Sequence, residues 1–432
     1  MLGALTVLLF AQFGTPAVAA RPVVAGHWEG VVRRGASQLA IRLDLADGAR
    51  NRNFFSAPDL GAIDIPLSHV RAGRTLHAEL VGDTTPTLID ATVDGNVMTG
   101  TFREPAMRTG TIRLHRVDAS IARPYATQPA TFANGDVHLG GTMYVPRTSG
   151  KHPAVVLVQG SGPEGRWATA YIADALARHG VIALSYDKRG VGGSSGDWRT
   201  ATFDDLAADA RAAVHVLAQR PDVDPSRIGV YGHSQGGFIA PLIAENDTEV
   251  AWIGDADGPV GPQYRQDLFR VDTALAKRYS GRDLADAEKL YAEFVDTARN
   301  GTPHARLRTD MAEAGDPDWL DDLAIPDDDS WIWPWYAKTG NADNSAAWGA
   351  VHVPVLILFG ANDEIVPPRD SVAETVRILK EHDNTNVTVH VFVGADHTLR
   401  IPPTGRDGWP HNARGFPDVL AAFAQHPGTS SR

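Results

Sequence analysis

The sequence predicts an α/β protein: a mostly parallel sheet with helices on both faces and a helical lid insertion, preceded by a small all-β domain. Three observations carry this reading. Apolar residues alternate with period two from about Ala25 to Val117, with turn residues every eight to twelve positions, the pattern of half-buried antiparallel strands. Beyond that, short continuous apolar runs alternate with amphipathic stretches, as buried parallel strands joined by helices do. Between Pro262 and Gly349 this alternation stops and helical periodicity takes over.

Composition bounds the function classes. A chain of 432 residues has room for two domains. Its 43% hydrophobic and 21% charged residues exclude wholesale disorder. Acidic residues outnumber basic ones, 52 to 40, for a net charge of −12. That balance offers no basic face to nucleic acid or an anionic membrane. The chain has no cysteine, so a thiol nucleophile, a thiolate metal site and a disulfide framework are all excluded.

The elements follow in order. Residues 1–20 read as a signal peptide: 2–13 are apolar, and Ala17, Val18, Ala19 and Ala20 offer an A-x-A cleavage site. No Lys or Arg precedes the run, and a retained anchor or buried helix is the alternative. No later segment is apolar enough to span a bilayer, so the expected location is periplasmic or secreted. Residues 21–117 form the β-rich domain, with strands such as 38–45, 75–80 and 96–102. Trp28, Phe54 and Phe55 read as its core, with a ligand cleft as the other use. Residues 118–130, with Pro124 and Pro129 among polar neighbours, read as a linker.

The second domain spans 131–428. A strand pair at 132–146 turns at Asn134-Gly135-Asp136, and buried strands are expected at 154–158 and 181–186. Helices at 168–179, 203–219 and 235–245, and a strand at 227–231, continue the alternation. The last strands fall at 353–359 and 387–392, before a closing helix at 417–425. Residues 262–349 read as a lid at the carboxyl edge of the sheet, where substrate-shaping loops sit. The lid holds acidic residues (Asp321, Asp322, 327–329) and the aromatic run 331–336.

The chemistry gathers at the ends of the predicted strands. Gly232-His233-Ser234-Gln235-Gly236 is a G-x-S-x-G between a strand and a helix. That context puts Ser234 on a sharp turn with its hydroxyl exposed. The helix start behind it offers unpaired N–H groups to a developing oxyanion. A serine hydroxyl needs a base, and the base an orienting acid. Asp363 follows one later strand in Gly360-Ala361-Asn362-Asp363, and His397 follows the next in Gly394-Ala395-Asp396-His397. Both loops leave the same sheet edge as the serine turn. Asp396 and Glu364, each beside a candidate, read as structural, while Asp255 and Asp257 stand as alternative acids in a variant arrangement. His233 reads as packing. No H-E-x-x-H or comparable ligand spacing appears, so no metal or other cofactor is expected.

Gln159-Gly160-Ser161-Gly162-Pro163 follows the buried strand at 154–158. An acyl-transfer oxyanion needs two N–H donors, and Gln235 and Ser161 are the candidates. Asp187-Lys188-Arg189, after the next strand, reads as a local ion pair bracing its loop.

Together these motifs resemble an α/β-hydrolase. More narrowly, the chain resembles bacterial carboxylesterases of the dienelactone-hydrolase and serine-aminopeptidase-like groups, some of which carry an extra β-rich amino-terminal domain. The likeness runs from about Thr131 to the carboxyl terminus. One departure stands out: Gln159-Gly160 occupies the place of the His-Gly of many relatives, a change that touches substrate preference and spares the backbone donors. The resemblance implies Ser234 as nucleophile, Asp363 as acid and His397 as base. The expected function is hydrolysis of a small-molecule carboxylic ester without a cofactor. The rivals are a peptidase or amidase acting on small peptides, whose free amine the lid carboxylates would hold, and a catalytically idle binding protein.

Overall fold

The computed structural model describes residues 24–46, 53–82, 86–105, 109–118, 122–245 and 247–428. The expected signal peptide lies outside the described residues. Among these residues no helix is long and apolar enough to cross a membrane.

The period-two region closes on itself. Strands β1 (Gly26–Arg34), β2 (Ser37–Leu45), β3 (Phe54–Ala57), β4 (Ala62–Ala72), β5 (Thr75–Leu80), β6 (Leu88–Asp94), β7 (Val97–Arg103) and β8 (Thr109–Val117) form an antiparallel barrel. Closure comes from β1, which sets Trp28 opposite Leu43 of β2 and opposite Arg116 of β8. Alternation sends Trp28, Val32, Ile41, Leu43, Phe55, Met98 and Leu114 inward, where each is buried. The Trp28 indole N–H donates to the Val24 carbonyl at 2.8 Å. The interior is thus a packed core, and Phe54, its ring half-buried, stays at the flank.

The second sheet has eight strands: β9 (Tyr125–Asn134), β10 (Val137–Pro146), β11 (His152–Val158), β12 (Ile182–Tyr186), β13 (Val223–His233), β14 (Trp252–Ala256), β15 (Val355–Gly360) and β16 (Val387–Phe392). Their spatial order is β16-β15-β14-β13-β11-β12-β10-β9. The six from β11 to β16 are parallel, and β9 and β10 join antiparallel at one edge. Here one expectation is corrected. The span 118–130 is not wholly a linker, because residues from Tyr125 onward belong to β9. Pro129 is tolerated there because β9 is an edge strand, paired only with β10, so its missing N–H breaks no ladder on the outer side.

Strand alternation separates two apolar layers. Val156, Val230 and Ile357 face α2 (Phe203–Ala218), α3 (Gln235–Ala244) and α10 (Pro368–Glu381). Val155, Tyr231 and Leu356 face α1 (Ala170–Arg178) and α11 (Phe416–Gln425). This is the α/β-hydrolase arrangement anticipated from the motifs. Between β14 and β15 lie six helices, α4 (Gln263–Ala276), α5 (Gly281–Asn300), α6 (Ala305–Ala314), α7 (Asp318–Asp322), α8 (Ile332–Thr339) and α9 (Ser345–Ala350). The lid has its own core, in which Leu290, Phe294, Trp333 and Tyr336 are buried together.

Among the described residues, the contacts that join the barrel to the body include an ion pair and an aromatic strap. Arg123 makes a two-pronged ion pair with Asp64 at 2.5 and 2.7 Å. The strap between the short strands β17 (Arg400–Ile401) and β18 (His411–Asn412) carries Trp409 to the barrel. There its ring meets Phe102 edge-on and lies 3.6 Å from the Arg34 guanidinium.

Candidate active site

Three loops at the carboxyl edge of the sheet converge. β13 ends at His233 and α3 starts at Gln235, so Ser234 alone makes the turn, at φ 55° and ψ −117°. A non-glycine residue held there is strained. The flanking glycines are required by contact: a Cβ on Gly232 would sit 2.0 Å from the Gly236 carbonyl oxygen, and one on Gly236 would sit 2.4 Å from that of Val158. The Ser234 N–H is held by the Ala256 carbonyl at 2.9 Å.

Ser234 Oγ lies 2.9 Å from His397 Nε2, and His397 Nδ1 lies 2.7 Å from Asp363 Oδ2. The acceptor opposite Nδ1 assigns the tautomer: Nδ1–H donates to the carboxylate, and Nε2 is left to accept the serine proton. Asp363 is fully enclosed, and its Oδ1 accepts the N–H groups of Ile365 and Val366 at 2.7 and 2.9 Å. The other acids have separate work. Asp396 accepts the N–H groups of Thr398 and Arg400 within its own loop, and Glu364 pairs with Lys277 of the lid. Asp255 and Asp257 are buried at the end of β14. Burial pushes the Asp255 carboxyl up to about 7 and Asp257 well above the usual carboxylate range, in the latter case reinforced by the Asp363 charge.

Gln235 opens α3, so its N–H has no acceptor within the helix. Ser161 is exposed on the loop after β11, where Glu164 accepts the Gly160 N–H at 2.8 Å. Two residues that support these loops escaped the sequence reading. Lys188 does not join its neighbours' ion pairs: Asp187 binds Arg166 at 2.6 Å and Arg189 binds Asp209 at 2.7 Å. Instead the buried Lys188 ammonium donates to the Gly160 carbonyl, to that of Gly162 at 3.0 Å and to Gln235 Oε1 at 3.1 Å. It therefore ties both candidate oxyanion loops together, and burial lowers its pKa to about 8. His233 donates from Nε2 to the His397 carbonyl at 2.8 Å, anchoring the histidine loop to the serine turn. Enclosure, and next the adjacent His397, push its pKa down to about 4, so it is neutral.

In the lid, Trp333 and Tyr336 are core residues, while Trp331 is 40% exposed and packs on Trp198 of the body with ring centroids 5.0 Å apart. Asp322 is engaged by Arg278 at 2.5 Å, and Asp328 by Arg308 at 2.7 Å.

Comparison with known proteins places these features among relatives. A family model described as serine aminopeptidase, S33, matches residues 150–254, a stretch that includes Ser234, Gln235 and the 159–163 loop. Esterase EstD of Thermotoga maritima is 36% identical over 132 residues, 28% of this chain and 32% of that protein. An uncharacterized Mycobacterium tuberculosis protein is 38% identical over 126 residues, 29% of this chain and 43% of that one. The matches thus span about a third to under a half of these relatives' own lengths. Among solved structures, the Pyrococcus furiosus esterase Pf2001 has a TM-score of 0.44 and 18% identity, over 69% of this chain and 88% of that one. The sequence resemblance to α/β-hydrolase serine hydrolases stands, with the eight-stranded barrel as the additional β-rich domain.

Proposed function

We propose that this protein is a serine hydrolase that cleaves carboxylic esters through an acyl-enzyme. The carrying observation is the hydrogen-bonded series Ser234, His397 and Asp363, with the serine on a strained turn at a helix start. His397 Nε2 takes the Ser234 proton as Oγ attacks the acyl carbonyl, and Asp363 steadies the imidazolium through Nδ1–H. The N–H groups of Gln235 and Ser161 receive the oxyanion, each contributing about 3 kcal/mol to barrier lowering by analogy with other serine hydrolases. His397 then protonates the leaving alkoxide. Water, activated by the same imidazole, attacks the acyl-enzyme, and the acid departs with Ser234 reprotonated. No step calls on a cofactor.

Ester cleavage is favoured because relatives of the nucleophile-bearing segment include a protein named an esterase. The peptidase reading draws on the description of the matching family model. It is weakened by Asp322 and Asp328, which are engaged by arginines instead of facing a substrate amine. The test is release of p-nitrophenol from acetyl to palmitoyl p-nitrophenyl esters by wild type and Ser234→Ala. Turnover that disappears in the variant supports the esterase. Turnover of aminoacyl p-nitroanilides alone would transfer the same residues to a peptidase, and no turnover of either would leave the binding-protein reading. We further propose export to the periplasm or medium, checked by fractionating cells that express the full chain.

A further inference from the structure

Asp257 is a buried acid clustered with Asp363 and His397 that the esterase mechanism leaves unused. It follows β14 directly, at φ 52°, and is fully buried. Its Oδ1 accepts the Gly360 N–H at 2.8 Å. Its Oδ2 is enclosed and meets no hydrogen-bond donor among the described residues. What Asp257 does face is another carboxyl: Asp257, Asp363 and His397 bring polar atoms within 4.8 Å of one another, and the Asp363 charge adds to burial in pushing the Asp257 carboxyl up.

As a carboxylate, Asp257 would place an unpaired oxygen against a second negative charge in a dry site, an arrangement that costs several kcal/mol. Two adjacent buried carboxyls hold a single charge between them. The donors decide where it sits. Asp363 receives three, from Ile365, Val366 and His397, whereas Asp257 receives one from Gly360. The charge belongs on Asp363 and the proton on Asp257, whose otherwise unmatched Oδ2 then becomes a donor with an acceptor opposite it.

We propose that Asp257 is a positioning residue that remains protonated through turnover and donates its carboxyl O–H to Asp363, so that the acid of the site is a carboxyl–carboxylate pair with one negative charge. The other titratable groups near the pair are Asp255, itself pushed up by burial, His397, and the buried Tyr231 hydroxyl. By sharing the Asp363 charge, Asp257 limits how strongly the imidazolium is held and so sets the acidic limb of the pH profile. This deepens the esterase reading and rests on it for the kinetic readout alone.

The test compares Asp257→Gly with Asp257→Asn; both replacements tolerate the positive φ. With a p-nitrophenyl ester, Asp257→Gly is expected to lose about tenfold or more in kcat/KM. Its acidic limb should move up, because Asp363 without its donor binds the imidazolium more tightly. Asp257→Asn, whose amide can donate to Asp363 and accept from Gly360, should restore the limb and recover activity to within about threefold of wild type. A downward shift in Asp257→Asn would mean that Asp257 is charged. An unmoved limb in both variants would mean that it only packs. Either result overturns the proposal. Infrared spectroscopy decides independently of turnover, using Ser234→Ala as the reference protein. A protonated-carboxyl stretch should be present at pH 8 and absent after Asp257→Asn is added, and its absence from the reference would overturn the assignment. A protein that shows this band yet cleaves no ester would refute the esterase reading while leaving the proton on Asp257.

Discussion

The barrel and the sheet that follows it bury their interiors by opposite rules. Among the described residues, the barrel encloses apolar side chains with only Arg34 and Ser56 as buried polar exceptions. At the carboxyl edge of the parallel sheet, Gln159, Asp187, Lys188, Arg189, Gln235, Asp255, Asp257 and Asp363 are all buried. Desolvating so many polar groups is unfavourable unless each finds a partner. Their concentration at one edge marks where structure is held for chemistry. The barrel lacks such a cluster and contributes as a packed body.

That contrast can be broken or sharpened by substitution, in order of expected effect. Ser234→Ala should reduce ester kcat by roughly 10⁵-fold or more, since in the proposed mechanism Ser234 and His397 act as a unit. A burst-free progress curve is the check. Asp363→Asn should cost about 10⁴-fold, because an amide can stabilise the wrong imidazole tautomer. Steady-state kinetics across pH would register it with little change in KM. Lys188→Met preserves bulk but strips the Gly160 and Gly162 carbonyls of their buried donor. A loss of about 10- to 100-fold in kcat is expected from a loosened oxyanion site. A fall in kcat matched by an equal rise in KM would instead place Lys188 in substrate binding. Trp28→Ala in the barrel should cost about 3–5 kcal/mol of stability while kcat per folded molecule stays unchanged. Denaturant unfolding and active-site titration separate the two.

The smallest effect is on acid stability. His233 has a folded-state pKa of about 4, below its ordinary 6.5. Between these values the unfolded chain binds a proton that the folded one does not, so stability is lost as pH falls from 6.5 to 4. His233→Asn, which can still donate to the His397 carbonyl, should flatten that part of the curve relative to wild type, measured by urea unfolding at successive pH values.

Local patterns made much of this architecture legible. The barrel strands and the βα alternation follow from periodicity alone, and the three loops that meet at Ser234 are readable because each is a short motif closing a strand. The reading failed where a residue's meaning depends on a distant neighbour. Pro129 resembled linker because edge position, the property that admits proline to a strand, is set by the whole sheet order. Lys188 sits in a run of alternating charge that suggests an ion pair, yet its acceptors are two backbone carbonyls from a loop more than twenty residues away and the Gln235 amide oxygen. His233 and Asp257 differ from ordinary core polar residues only in what lies opposite them. A capped helix start or an alternating strand carries its own signal, and a buried polar partnership does not.

The strap that carries Trp409 bears on modularity. The chain leaves the barrel near residue 118 and returns to it almost three hundred residues later, just after the loop that holds His397. A domain joined by a single covalent hinge can be exchanged, deleted or fused elsewhere as a cassette. This one is gripped again by a tryptophan from its host, so excising it would bare an indole and free the end of the histidine loop together. The barrel and the body are therefore expected to be engineered as one unit, because the same strap ends the histidine loop and packs on the barrel.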